Sequence, residues 1–224
     1  GREDVYGNID TSTALIGASG ASIFTGNSVR SSVISGSSIY VGGGNSPYIG
    51  LTSLGSNSAP SVTNSSSAVR VVRVFGGDLY YSTGTTLNKF TGNPAAGSNT
   101  PTPLVSSELS SAGAFVLLDV GNTGAVNTCY LTDAGTLKKY AVSGATFTAK
   151  GSATITGNGS SESGLTASLR GTSVTLYISS AGKIESITDS TGATGTLAGT
   201  ASAMTLTGNP VALGSNAAFR GISF

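Results

Sequence analysis

The sequence has no histidine among its 224 residues. Ser-His-Asp and Cys-His activation of a nucleophile and His-ligated zinc are therefore excluded within this chain. Its one cysteine, Cys129, sits in the run Val126-Asn127-Thr128-Cys129-Tyr130-Leu131 with no basic neighbour, which is the setting of a small buried hydrophobe and not of a reactive thiolate. Asp and Glu number ten, enough by count for a glycosidase-like acid/base pair. Asp119 and Glu162 lie nearest the predicted inner strands and form the best such pair. Glu3, Asp4, Asp78, Asp133, Glu185 and Asp189 read as turn or outer-strand residues, whose oxygens cap local N–H groups. No Asp-rich loop has calcium-binding spacing, so neither a metal site nor a cofactor is expected, and the chain reads as non-catalytic.

The residues best suited to binding are cationic and aromatic. Arg30, Arg70 and Arg220 occupy the same second position of three predicted inner strands, and strands related by rotation would place them on one ring around a channel. Two readings stay open. The arginines grip a carboxylated or sulfated glycan through their planar forks, or they bridge to neighbouring carbonyls and to Asp119. Arg73 and Arg170 are assigned to a shared position on the opposite strand face, for packing. Tyr40, Tyr80, Tyr130 and Tyr177 recur in register and read as core, whereas Tyr48, beside Pro47 after Gly42-Gly43-Gly44, and Tyr81 are the candidates for exposed contacts. Asn64-Ser65-Ser66 and Asn158-Gly159-Ser160 fit the N-glycosylation pattern in predicted loops, making Asn64 and Asn158 candidate glycan acceptors.

Composition narrows the partners. Charged residues are 9% of the chain, net charge is +1, and residues 31–69 contain no Asp, Glu, Lys or Arg. Nucleic acid is not an expected partner, because no basic block or global field attracts it. The charge-free stretch is broken throughout by Ser, Gly, Asn and Pro and cannot supply the roughly 20 apolar residues of a membrane span. A hydrophobic fraction of 38%, set in short β-branched runs, argues for packed strands over disorder.

The elements that position these residues repeat. Tyr40, Tyr80, Tyr130 and Tyr177, about 40 to 50 residues apart, each close a similar phrase. The phrases are Val29–Gly36 then Ser38–Tyr40, Val69–Gly76 then Asp78–Tyr80, Phe115–Val120 then Val126–Leu131, and Leu165–Gly171 then Val174–Ile178. Each is a strand, a Gly-bearing turn and a second strand. Further strands are predicted at Thr136–Val142, Ser152–Thr156, Lys183–Ile187 and Ala203–Thr207. No sustained 3.6-residue period appears, so helix is not expected. Four strands per unit at this period predict an all-β β-propeller in one domain, residues 1–224, with blades at 27–66, 67–107, 113–157 and 163–208. A parallel β-helix is the competing architecture.

Four stretches carry a family resemblance: Gly7–Leu15, Asn27–Ser31, Phe115–Asp119 and Asn216–Phe224. In these the chain resembles a family of largely uncharacterised secreted β-propeller-like proteins, and the similarity runs nearly end to end. The resemblance implies that residues 1–16 are the outer strand of an earlier blade and 216–224 the inner strand of a closing one. Partner strands would then come from a preceding segment or another chain, giving about six blades. It also implies secretion or a cell-surface location, and no known activity accompanies it. The expected function is structural or adhesive, through self-association or contact with another extracellular protein. The alternatives are a lectin-like module for acidic glycans and, last, a carboxylate-dependent glycan-active enzyme.

Overall fold

The computed structural model describes residues 2–3, 6–13, 15, 24, 29–63, 67–156, 164–180 and 183–204. Among them every regular element is a strand. After a two-stranded piece, β1 (Arg2–Glu3) with β2 (Ile9–Asp10), come four antiparallel sheets whose strands follow one another in sequence order. They are β3–β5 (Val29–Ser35, Ser38–Gly43, Ile49–Ser53), β6–β9 (Val71–Phe75, Asp78–Ser82, Leu87–Phe90, Thr102–Val105), β10–β13 (Ala112–Leu118, Thr128–Asp133, Thr136–Ser143, Thr146–Thr154) and β14–β17 (Gly164–Arg170, Ser173–Ser180, Lys183–Asp189, Ser202–Ala203). This all-β, propeller-like fold of consecutive antiparallel sheets is the fold class that the tyrosine-closed phrases predict.

Hairpin chemistry explains why the strands turn where they do. Ser35 pairs Ser38 across Gly36-Ser37, and Phe75 pairs Asp78 across Gly76-Gly77. Gly36 and Gly76 take φ of 60° and 58°, a conformation that a Cβ disfavours. The first blade contains three strands; the fourth place is taken by 60–62, where Leu51 N–H donates to Pro60 O and Val62 N–H to Ile49 O.

The chain divides into two compact units, each holding a pair of blades. In the first, β3 lies beside β6. Ser31 Oγ accepts from Val72 N–H at 3.1 Å, and a core of Tyr40, Ile49, Val62, Val69, Val72, Leu79, Tyr81 and Phe90 fills the space between the two blades. In the second, β10 lies beside β14, and Phe115, Leu117, Leu131, Leu137, Leu165, Leu176 and Ile178 are buried. Both pairs share a second device. The segment after the third strand of one blade runs parallel to the outer segment of its neighbour, bridging Thr63 to Asn99 in the first unit and Thr154 to Thr200 in the second. The outer strand thereby gains backbone partners that an edge would lack.

Candidate functional site

Among the described residues one ion pair is fully buried. Lys139 on β12 and Asp189 at the end of β16 form an ion pair at 2.7 Å with side chains 0% and 1% exposed. Alternation explains the burial of a lysine. Lys138 and Lys139 face opposite sides of the strand; Lys138 pairs Asp133 at 2.8 Å near the surface, while Lys139 points between blades. Its Nζ also donates to Thr191 Oγ1 (2.9 Å) and to Gly192 O (2.5 Å), and lies 5.8 Å from the Tyr130 ring centre. Asp189 Oδ2 accepts from Tyr130 Oη at 2.6 Å, and Oδ1 accepts from Thr191 N (2.9 Å) and Oγ1 (2.6 Å). Burial works against the Asp189 charge, but Lys139, Thr191 and Tyr130 together hold its pKa below the usual carboxylate range. Burial, then the Asp189 carboxylate, pushes the Tyr130 phenol well up. Every donor and acceptor of this group is spent inside the protein, so its chemistry is that of a clasp between β10–β13 and β14–β17.

The sequence carries a pattern behind this clasp. Tyr130 pairs Lys139 across β11 and β12, and Tyr80 pairs Lys89 across β7 and β8 at the same separation. Lys89 likewise lies 5.8 Å from the Tyr80 ring centre, but its carboxylate, Asp78 at 2.7 Å, belongs to its own blade.

Four other described carboxylates, Asp78, Asp119, Asp133 and Glu185, are engaged by donors of this chain. Asp78 Oδ1 accepts from Gly92 N at 2.6 Å. Asp133 Oδ1 accepts from Ser110 N (3.0 Å) and Ser111 N (2.6 Å), and Glu185 accepts from Thr156 N at 2.9 Å. Asp119, the nearer half of the expected acid/base pair, closes the loop after β10: Oδ1 takes Thr123 N and Oγ1, and Oδ2 takes Gly124 N, each at 2.7 Å. The Thr123 hydroxyl is the main cause that keeps its pKa below the usual range. Glu162 lies outside the described residues, as do Arg220, Asn64 and Asn158. Cys129 is fully buried, which pushes its thiol pKa far up. Among the described residues no three His, Cys, Asp or Glu side chains gather as a metal site.

Arg30 is exposed on β3, and Arg70 is half-buried just before β6, its N–H donating to Ser82 O at 2.9 Å. Both stand six residues before their hairpin glycines, Gly36 and Gly76. Arg73 and Arg170 do not share a position. Arg73 pairs Tyr80 in mid-strand, where burial lowers its pKa, whereas Arg170 pairs Ser173 at the hairpin end. Tyr81 is not an exposed contact: it is 1% exposed and stacks on Phe90 at 5.5 Å, because β7 is covered on both faces. Tyr48, at φ 57° after the cis Ser46–Pro47 bond, is half-buried against the first unit's core. Tyr40, Tyr80 and Tyr130 are core residues, and Tyr177 is half-buried.

What the surface offers instead is an apolar groove of about 410 Å³, lined by Ile34, Gly36, Ser37, Ile39, Ser53 and Leu54. Ile34 and Leu54 are 51% and 43% exposed. The groove lies wholly within the charge-free stretch 31–69.

Comparisons with known proteins bear on fold. No family model and no curated protein matches the sequence, so the resemblance noted above has no family match behind it. Among solved structures, a chain from a nidogen/laminin complex is similar at TM-score 0.51 and 13% identity, over 71% of this chain and 60% of that one. The extracellular domain of a putative one-component system from B. thetaiotaomicron is similar at TM-score 0.52 and 12% identity, over 83% of this chain and 24% of that one. The chain thus spans less than two thirds of these structures. They share its propeller-like fold, and the second is an extracellular domain.

Proposed function

We propose that the chain is a non-catalytic extracellular propeller that works by surface contact, associating with itself or with an uncharged matrix component. The observation that carries this reading is the division of labour among side chains. Asp78, Asp119, Asp133, Glu185 and Asp189 are engaged in internal bonds, while the open groove is apolar and bordered by hydroxyls. A catalytic carboxylate must face substrate within hydrogen-bond reach, and a side chain committed to capping a loop is poorly placed for that. Support for the extracellular setting comes from an extracellular domain among proteins of similar fold.

The test is retention of the purified chain on immobilised copies of itself, on neutral polysaccharide and on heparin, in low and high salt. Salt-insensitive retention on the neutral supports or on the protein itself is expected. Retention on heparin alone, lost in salt and lost in the Arg30→Ala, Arg70→Ala double variant, would instead establish an acidic-glycan module. That second reading is favoured by one feature, the equal placement of Arg30 and Arg70 before their hairpin glycines.

A further inference from the structure

From the convergence of three backbone segments at one end of the first unit, we infer that Arg30, Arg70 and Tyr48 form a binding site for an acidic saccharide, a sugar bearing a carboxylate or a sulfate. The inference rests on the acidic-glycan reading of the two arginines, gives it a place in the fold, and is independent of the neutral contact.

Gly43, the last residue of β4, is where the segments meet. Val29 pairs with it across β3 and β4, Val69 N–H donates to its carbonyl at 3.0 Å, and its own N–H donates to Tyr48 O at 2.9 Å. Arg30 and Arg70 directly follow Val29 and Val69. The inner strands then run side by side, since Ser31 Oγ, one residue past Arg30, accepts from the N–H of Val72, two residues past Arg70, at 3.1 Å. Arg30 enters β3 at a bulge, where the register shifts between Val29 and Ser31, and bulges re-aim the side chains they carry. Arg30 is exposed and Arg70 half-buried. Tyr48 holds φ 57°, a left-handed conformation that a bulky side chain disfavours and that folds retain chiefly at ligand sites. It is half-buried: part of its surface rests on the core of the unit and the rest is accessible.

Charge and shape select the ligand. Two guanidiniums borne by adjacent strand ends repel, and residues 31–69 supply no carboxylate to offset them. The carboxylate of the second blade, Asp78, stands beside the hairpin glycines and is held there by Lys89 at 2.7 Å and by Gly92 N. An anionic group between the two planar forks relieves the repulsion and accepts paired hydrogen bonds, which carboxylate and sulfate oxygens both do. The tyrosine ring offers an apolar surface to the C–H face of a pyranose, which a simple anion lacks. A saccharide acid therefore uses all three residues. The apolar groove is elsewhere: its Gly36 and Ser37 form the hairpin at the far end of β3, roughly 20 Å along the strand from Arg30.

The experiment is calorimetric titration of the full chain at about 50 mM NaCl, where screening is modest. The ligands are a uronic-acid oligosaccharide, the same oligosaccharide with its carboxyls reduced to alcohols, a sulfated oligosaccharide without carboxylates, and an acidic peptide. Arg30→Gln, Arg70→Gln and Tyr48→Asn are compared with Arg170→Gln, which removes the same charge elsewhere, and thermal melts control for folding. Asn is chosen at 48 because it tolerates the left-handed backbone. If Arg70→Gln lowers the melting temperature, Arg70→Lys, which keeps the charge and loses the fork, is read in its place. Expected are binding of an acidic oligosaccharide, weakened at least about tenfold by carboxyl reduction or by loss of either arginine, weakened by Tyr48→Asn, and changed less than about twofold by Arg170→Gln. Binding of the uronate alone or of the sulfate alone supports the inference and names the source of the anion. No binding of either acid, equal binding of the reduced oligosaccharide or of the acidic peptide, or equal weakening by Arg170→Gln overturns it. If it is overturned while salt-insensitive retention on neutral supports persists, the neutral contact stands; acid binding without such retention supports this site and removes the neutral contact.

Discussion

Replacing Asp189 with asparagine keeps the shape of the clasp and removes one charge. At an effective dielectric of about 20, unit charges 2.7 Å apart attract by about 6 kcal/mol, most of which offsets the desolvation of both groups. The intact pair therefore contributes little net stability, but the single variant leaves the Lys139 ammonium fully buried without a counter-charge, and one amide oxygen replaces the two carboxylate oxygens that Lys139, Tyr130 and Thr191 share. Loss of one partner of a buried pair costs about 3 to 5 kcal/mol. For a chain of this size that lowers the melting temperature by roughly 6 to 20 °C. The assay is a double-mutant cycle with Lys139→Met, followed by urea denaturation and circular dichroism. The Asp189→Asn, Lys139→Met double variant should recover part of the loss, with a coupling of at least about 2 kcal/mol. A single variant that loses less than about 1 kcal/mol, or strictly additive losses, would refute the argument that burial, and not mere proximity, gives the pair its importance.

Other consequences follow from the same geometry. Asp78, Asp133 and Asp189 have pKa values lowered in the folded state, so the stability they contribute is complete above the unfolded value near 3.8 and is lost as pH falls through the folded values; acid melts should show a steep decline only below about pH 4. Tyr130 and Tyr140 are raised, so their contribution is complete below the unfolded value of 10.0 and is lost as pH rises beyond it, with a phenolate absorbance change that coincides with unfolding. Gly151→Ala should destabilise by about 1 to 3 kcal/mol in urea titrations, because Gly151 holds φ 80° and its new Cβ would press on Leu197 O and the Thr196 side chain at the parallel bridge. Cys129 should be inert to a thiol reagent in the native protein and react stoichiometrically in denaturant; rapid native labelling would contradict its burial.

The hairpins were readable because alternation, β-branched runs and turn glycines agree with one another at Val29–Tyr40 and Val69–Tyr80. Elements without those signals were not readable. In the first blade the fourth place is held by backbone bonds from 60–62, which leave no side-chain pattern. Outer strand β13 begins at Thr146, earlier than alternation indicates, because its exposed residues need not be apolar. Tyr81 was misplaced for a related reason: two adjacent tyrosines suggest that one faces solvent, but β7 is sandwiched, so opposite faces are both interior. Lys139 was hidden by its neighbour, since a Lys-Lys pair reads as a solvated edge until the blade holding Asp189 is placed against it. Asp119 was set apart as half of an acid/base pair although its own loop, through Thr123 and Gly124, takes up both of its oxygens, and Asp133 was legible as a cap but not the distant Ser110 and Ser111 that it caps; the groove depends on which blade faces find partners, a property of tertiary arrangement.

The proposed contact runs through a neutral, apolar face, and the ionic-strength dependence of association tests that claim directly. Association followed by light scattering between about 50 and 500 mM NaCl should hold constant or strengthen, as burial of apolar surface does when charges are screened. Association that weakens steeply across that range would mean that charged groups make the contact, and would contradict the claim.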